Sequence, residues 1–176
     1  MKRNPIIRWC LSLLLGLAFA PAWSGPVSLN GTWELSYWKQ PAEAITDPAE
    51  LKEVEVKTIP AQVPGNVELD LLAAGLIDDP MIGANVNKLR AWEGHQWCYA
   101  RSFTAPKLSE GQRAELWFGG IDCLADIWVN GKHAGSSADM LIERRFDVTD
   151  LIEQGGENTV QVIIRPVVPA SQDHLL

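Results

Sequence analysis

The chain has 176 residues, of which 22 are acidic and 15 basic, giving a formal net charge of −7. Such a surface repels polyanions, which excludes nucleic acid and anionic lipid as expected partners. A hydrophobic share of 47% is enough for one domain with a packed core.

The first residues read as a leader. Lys2, Arg3 and Arg8 make a basic start, and the run from Trp9 to Ala20 is apolar apart from Ser12 and Gly16. Ala22 and Ser24 then place small residues where a signal peptidase reads. The expectation is a signal peptide over residues 1–24 and one domain over residues 25–176. The apolar run is too short to span a bilayer, so no membrane association is expected after cleavage. Its compact basic form suggests a bacterial protein, periplasmic or secreted. Removing it takes away three basic residues and no acidic ones, so the remaining domain is still more acidic. Cys98 and Cys123 remain, and an oxidising compartment allows either a bridge between them or two separate buried thiols. The histidines are scattered and no Cys-x-x-Cys occurs, so no metal and no cofactor are expected.

In chain order, Asn30-Gly31 is a turn before a strand at Thr32–Trp38, and Val54–Ile59 alternates as a half-buried strand bounded by Pro60. Pro64-Gly65 is a turn. A short helix follows, capped by Asn66, with Val67, Leu71 and Leu72 on its apolar face and Gly75 at its end. From Leu76 to Gln96 strand periodicity is lost, with room for a helical turn near Val86–Trp92. Irregular stretches of that length are usually functional. The adjacent pair Asp78-Asp79 precedes Pro80 and reads as a turn initiator. Strands resume at Trp97–Thr104, Ala114–Phe118, Ala125–Val129, Lys132–Ser136, Leu141–Phe146 and Thr159–Val168. Asn130-Gly131 between two alternating strands is a hairpin corner. Asp126 reads as a solvated edge charge, and His95 and His133 as surface or loop residues. Trp33, Trp38, Trp117 and Trp128 are expected to pack mostly between sheets. Many short strands with turn signals between them predict an all-β fold of two antiparallel layers with one short helix and a long irregular loop.

Five segments in order carry a resemblance: "LNGTWEL", "IPAQVPGNVELDLLAAGLIDDP", "WCYARSFTAP", "AELWFGGIDCLADIWVNGKHAG" and "FDVTDLIEQGGENTVQVIIRP". Together they resemble the amino-terminal sugar-binding domain of glycoside hydrolase family 2, nearest to its β-mannosidase-like members. The resemblance implies a galactose-binding-like jelly-roll sandwich. It also implies a carboxyl-terminal barrel partner bearing two glutamates that act with retention, through carboxyl groups about 5 Å apart. The family's acid/base glutamate lies in an Asn-Glu dipeptide, and none occurs here, so no catalytic residue is expected in this chain. Relatives carry a Trp-Asp-Trp segment beyond the last strand. This sequence stops at "VVPASQDHLL", which predicts a piece of a longer protein, with the sandwich incomplete at its carboxyl-terminal end.

In relatives the irregular loop leans toward the barrel and shapes the sugar pocket. Asn85, Asn87, Arg90, Trp92 and Trp97 have the amides, charged fork and aromatic faces that a sugar site uses. Turn-forming roles for the asparagines and core roles for the tryptophans stand as alternatives. Val86 replaces the acid that relatives often carry there. The expected function is a non-catalytic module of an exported retaining β-glycosidase that supports the active-site rim. Its ligand would be a β-linked glycoside, mannoside or galactoside. The alternative is a stand-alone carbohydrate-binding module.

Overall fold

A computed structural model describes residues 25–167; the expected leader and the last residues of the chain lie outside that range. Among the described residues there are eight strands: β1 (Gly31–Lys39), β2 (Lys57–Val63), β3 (His95–Thr104), β4 (Glu115–Phe118), β5 (Leu124–Val129), β6 (Lys132–Ser137), β7 (Arg144–Asp147) and β8 (Glu157–Arg165). An α-helix, α1, spans Val67–Ala73, and 3₁₀ turns span Pro48–Glu53 and Asn85–Trp92. The strands form a six-stranded antiparallel sheet in the order β2-β1-β3-β8-β5-β6 and a two-stranded sheet, β4-β7. This is the all-β, two-layer arrangement that the sequence predicts.

Alternation along the strands sorts residues to two faces. On the inner face, Trp33, Ala125, Ile127, Val129, Val160 and Val162 meet Leu116, Ile121 and Val148 from the smaller layer. Gly135 permits close contact between the layers, because a Cβ there would lie 2.5 Å from the Phe146 ring. Beside this core, Leu35, Tyr37, Ala61 and Trp97 pack with Leu71 of α1. The two-stranded layer covers only part of the large sheet. A groove of about 1140 Å³ remains, with Trp33, Trp97, Tyr99, Leu116 and Phe118 among its lining residues.

The outer face of the large sheet carries a second small core. Trp38, Cys98 and Ile163 are covered by Ile45, Leu51, Val54 and Val56 of the strap between β1 and β2. A fully buried amide holds this strap. Gln96 Oε1 accepts from Ile45 N (2.9 Å) and Trp38 Nε1 (3.2 Å), while its Nε2 donates to Ile45 O (2.7 Å). Trp128 Nε1 donates to Thr46 O (2.9 Å) and fixes the other side.

The local signals for turns and caps hold. Asn130 and Gly131 both have positive φ (52° and 71°), as the hairpin corner requires. Asn130 is also a clamp: its Nδ2 donates to Asn158 Oδ1 (2.7 Å) and its Oδ1 accepts from Thr159 N (2.9 Å). Asn66 Oδ1 caps α1 at Leu69 N (2.9 Å). Gly75 at φ 70° closes it, with Leu76 N on Leu71 O and Gly75 N on Leu72 O.

Several expectations need correction. β2 begins three residues late and includes Pro60, which an edge strand tolerates because the missing N–H can face away from the ladder. β7 starts at Arg144, and Leu141 (85% exposed) and Ile142 lie in the preceding loop rather than in a strand. Asp126 is buried, with Ser136 Oγ donating to its Oδ1 (2.7 Å) and Arg165 Nη2 3.3 Å from its Oδ2. His95 is a half-buried residue of β3, not a loop residue. Of the four strand tryptophans only Trp33 fills the space between the sheets. Trp38 and Trp128 belong to the outer face, and Trp117 is exposed. Cys98 and Cys123 are separate free thiols, and burial pushes the Cys98 thiol up to about 12.

Two predictions follow from buried polar groups. Replacing Gln96 by Leu leaves Trp38 Nε1 and the Ile45 peptide unpaired, and should cost about 3 kcal/mol in urea unfolding. A loss below about 1 kcal/mol would contradict the clamp. Asp70 on α1 accepts from Gln62 N (3.0 Å), but its Oδ2 is buried without a partner, and burial raises its carboxyl above the ordinary value despite the Gln62 bond. A raised folded-state value favours folding below the unfolded value, and that advantage is lost as pH rises through the folded value. Asp70→Asn keeps the acceptor and removes the charge. Its thermal midpoint should therefore gain on the wild type as pH rises above about 4, levelling off once pH has passed the raised folded-state value. A difference independent of pH would rule this out.

Candidate functional site

The long loop is an ordered sequence of turns. Asp79 Oδ1 accepts from Met81 N (2.9 Å), the local bond that an Asp before Pro-x favours, so the turn-initiator reading holds. Ile82 N reaches Asp79 O (3.1 Å), Asn85 N reaches Ile82 O (3.2 Å), and Asn87 N reaches Ala84 O (3.0 Å). Asn85 Nδ2 returns to Asp79 O (3.1 Å). Lys88 Nζ lies 2.6 Å from Asp78 Oδ2 and closes the loop on itself. The loop ends against β1, where Gln40 N donates to Gly94 O (2.9 Å).

An aromatic cluster anchors this loop. Along β3, His95, Trp97 and Tyr99 share one face, and the ladder places Tyr37 of β1 opposite Trp97. Trp92, at the end of the 3₁₀ turn, packs on this group. Its ring centroid is 4.9 Å from His95, 5.5 Å from Tyr37 in an edge-on contact, and 6.0 Å from Trp97 in a stacked one. Such pairs each contribute about 0.5–1.5 kcal/mol beyond their buried area. Burial, more than the neighbouring Lys39 and Lys57, lowers the His95 pKa, so the ring joins the cluster as a neutral imidazole.

A cleft of about 220 Å³ opens beside the cluster, between the end of α1 and the 3₁₀ turn. Asn85 and Trp92 line it, together with Asp78, Lys88 and Leu89. Of the five residues singled out from sequence, the fold brings Asn85 and Trp92 to this cleft. Trp97 lies buried beneath Trp92, and Asn87 and Arg90 are exposed outside it. Asp78 was read only as part of a turn and His95 only as a surface or loop residue, and Lys88 and Tyr37 were not singled out. His95 was readable, since it has the parity of Trp97 on one strand. The Asp78–Lys88 pair depends on the path of the loop and has no local signal.

Chemically the cleft offers an amide, a carboxylate, an ammonium and an indole edge. These groups suit hydroxyls and C–H surfaces. Lys88, through its hydrogen bond and charge, holds the Asp78 carboxyl below the usual range, so it stays ionised and is a poor proton donor.

The chain is similar in sequence and fold to known proteins. Beta-mannosidase B of Thermothelomyces thermophilus is 41% identical over 101 residues, covering 57% of this chain and 12% of that protein. Beta-mannosidase of Mus musculus is 33% identical over 148 residues, 81% of this chain and 15% of that protein. The crystal structure of β-D-mannosidase from Dictyoglomus thermophilum superposes with a TM-score of 0.65 at 30% identity, over 84% of this chain and 16% of that one. The chain thus spans less than a fifth of the length of these relatives. The pattern of the glycosyl hydrolase 2 galactose-binding domain-like family matches residues 39–174, and the chain belongs to that family.

Proposed function

We propose that the chain is the non-catalytic amino-terminal module of an exported, retaining β-glycosidase of β-mannosidase-like type, in which residues 76–94 support the rim of the sugar pocket. The observation that carries this reading is the junction of loop and sheet. Trp92 is packed on Tyr37, His95 and Trp97, so the loop that presents Asn85, Asp78 and Lys88 is held by the sheet rather than left to fold alone. A rim needs that rigidity, because hydroxyl-directed hydrogen bonds reward groups already in place. Asn87 and Arg90, exposed on the same 3₁₀ turn, are available to a neighbouring domain or to the sugar itself.

The same groups do not favour chemistry within this chain. Retaining hydrolysis uses a nucleophilic carboxylate and a protonated acid about 5 Å apart. Asp78 is tied to Lys88, and the carboxyl that burial raises, Asp70, serves the β2 backbone through Gln62. A β-mannoside as ligand rests on the names of the relatives, and export rests on the sequence of residues 1–24.

The reading predicts that the purified chain releases no nitrophenol from p-nitrophenyl β-mannoside above a mock preparation. Release abolished by Asp78→Asn would overturn it. Calorimetry with mannose should give binding no tighter than about millimolar, because part of a pocket offers few convergent contacts. Micromolar affinity for the monosaccharide would instead mark a complete binding site within this chain.

A further inference from the structure

Trp117 sits on the outer face of the two-stranded layer and is 56% exposed. It is not a loose side chain. Arg145 stands directly across the ladder, its guanidinium carbon 5.9 Å from the ring centroid. The indole Nε1 donates to Glu143 Oε2 (3.2 Å), and Arg145 Nε lies 3.2 Å from Glu143 Oε1. One carboxylate therefore holds both the indole and the guanidinium. Glu115 Oε2 approaches Arg145 Nη1 at 3.7 Å from the other side.

We propose that this face is a second carbohydrate-binding surface, on which a neutral, β-linked hexopyranose chain stacks against Trp117 while Arg145, Glu143 and Glu115 bond its hydroxyls. A pyranose with equatorial substituents presents a patch of C–H groups that matches an indole face. The surrounding fork supplies guanidinium donors and carboxylate acceptors at the ring's edge. The indole is fixed before binding, so little rotamer freedom is lost when the sugar arrives. Strands β4 and β7 and the residues flanking them carry three carboxylates (Glu115, Glu143 and Asp147) against Arg145 and Arg113, on a chain of net charge −7. That balance selects a neutral chain over a uronic acid polymer. A protein partner fits less well, because dry burial of Glu143, Arg145 and Glu115 carries a large desolvation cost. A sugar leaves these groups at the water boundary. Trp117 and Glu115 border the large groove between the layers, so a polysaccharide would lie along its rim by its side and not enter by its terminal unit. The face does not include Asn85, Asp78 or Lys88 of the smaller cleft, so it stands whether or not that cleft forms a rim.

The test is native electrophoresis of the full chain through gels containing soluble glucomannan, with polygalacturonate as the anionic comparison. Glucomannan should retard the wild type and polygalacturonate should not. Trp117→Ala should weaken the retardation affinity by about tenfold or more, given the worth of an aromatic stack. Trp117→Phe, which keeps a ring, should retain most of it. Glu143→Ala, which frees both indole and guanidinium, should weaken it as well. Glu55→Ser, at an exposed residue of the strap between β1 and β2, should leave it unchanged. Circular dichroism and the thermal midpoint establish that each variant is folded. Absence of glucomannan retardation in the wild type overturns the proposal and leaves the patch to a protein partner. Equal retardation of folded Trp117→Ala overturns it too.

Discussion

The two-residue repeat of β3 is the constraint from which the rest of this structure follows. Adjacent residues on that strand face opposite layers. Gln96 points outward and is sealed beneath the strap between β1 and β2, while Trp97 points inward and supports Trp92 and the long loop. β3 pairs with β1 on one side and β8 on the other, so a slip of one residue would expose the amide's partners and bury the wrong side chains together. The polar clamp and the aromatic cluster therefore specify the same register from opposite faces. A buried amide with every partner present adds specificity, because any other register leaves those groups unpaired.

The cleft inherits its character from this arrangement. Its walls come from the end of α1 and the 3₁₀ turn, both of which rest on the sheet through side chains of β1 and β3. Trp92 joins loop to sheet through its ring contacts and through its carbonyl, 3.3 Å from His95 Nδ1, so it holds the loop firmly without using the polar side chains of the cleft. Asp78 and Lys88 neutralise one another across ten residues of sequence. What remains is a shaped, polar surface. That is consistent with a family whose members here are matched over a small part of their length.

Much of the fold was legible because its signals are local. Asn130-Gly131, the Asn66 cap, Gly75 and the Asp79 turn each act within a few residues, and each was readable from the side-chain chemistry alone. The alternating strands gave the all-β class for the same reason. The corrections concern contacts that are distant in sequence. The Gln96–Ile45 bonds span 51 residues and the Trp128–Thr46 bond spans 82, so the covered outer face left no trace in any short window. Asp126 is buried because Arg165 and Ser136 arrive from β8 and β6. Leu141 and Ile142 have the composition of a strand, but lie in a loop with no sheet partner to cover them. Of the residues singled out by side-chain chemistry, Trp92 and Asn85 line the cleft. Arg90 and Asn87 share their turn but face elsewhere, which depends on the rotation of a 3₁₀ turn that sequence fixes poorly.

The claim at the centre of this account is that residues 76–94 shape a sugar site built largely by another part of a longer protein. The most direct measurement grafts this segment in place of its counterpart in the Dictyoglomus thermophilum β-D-mannosidase, followed by steady-state kinetics on p-nitrophenyl β-mannoside. The account predicts a KM shifted by about tenfold with the thermal midpoint nearly unchanged, as expected when ground-state contacts to the sugar are altered. A folded graft with both KM and kcat unchanged would contradict it, and would place the loop away from the sugar.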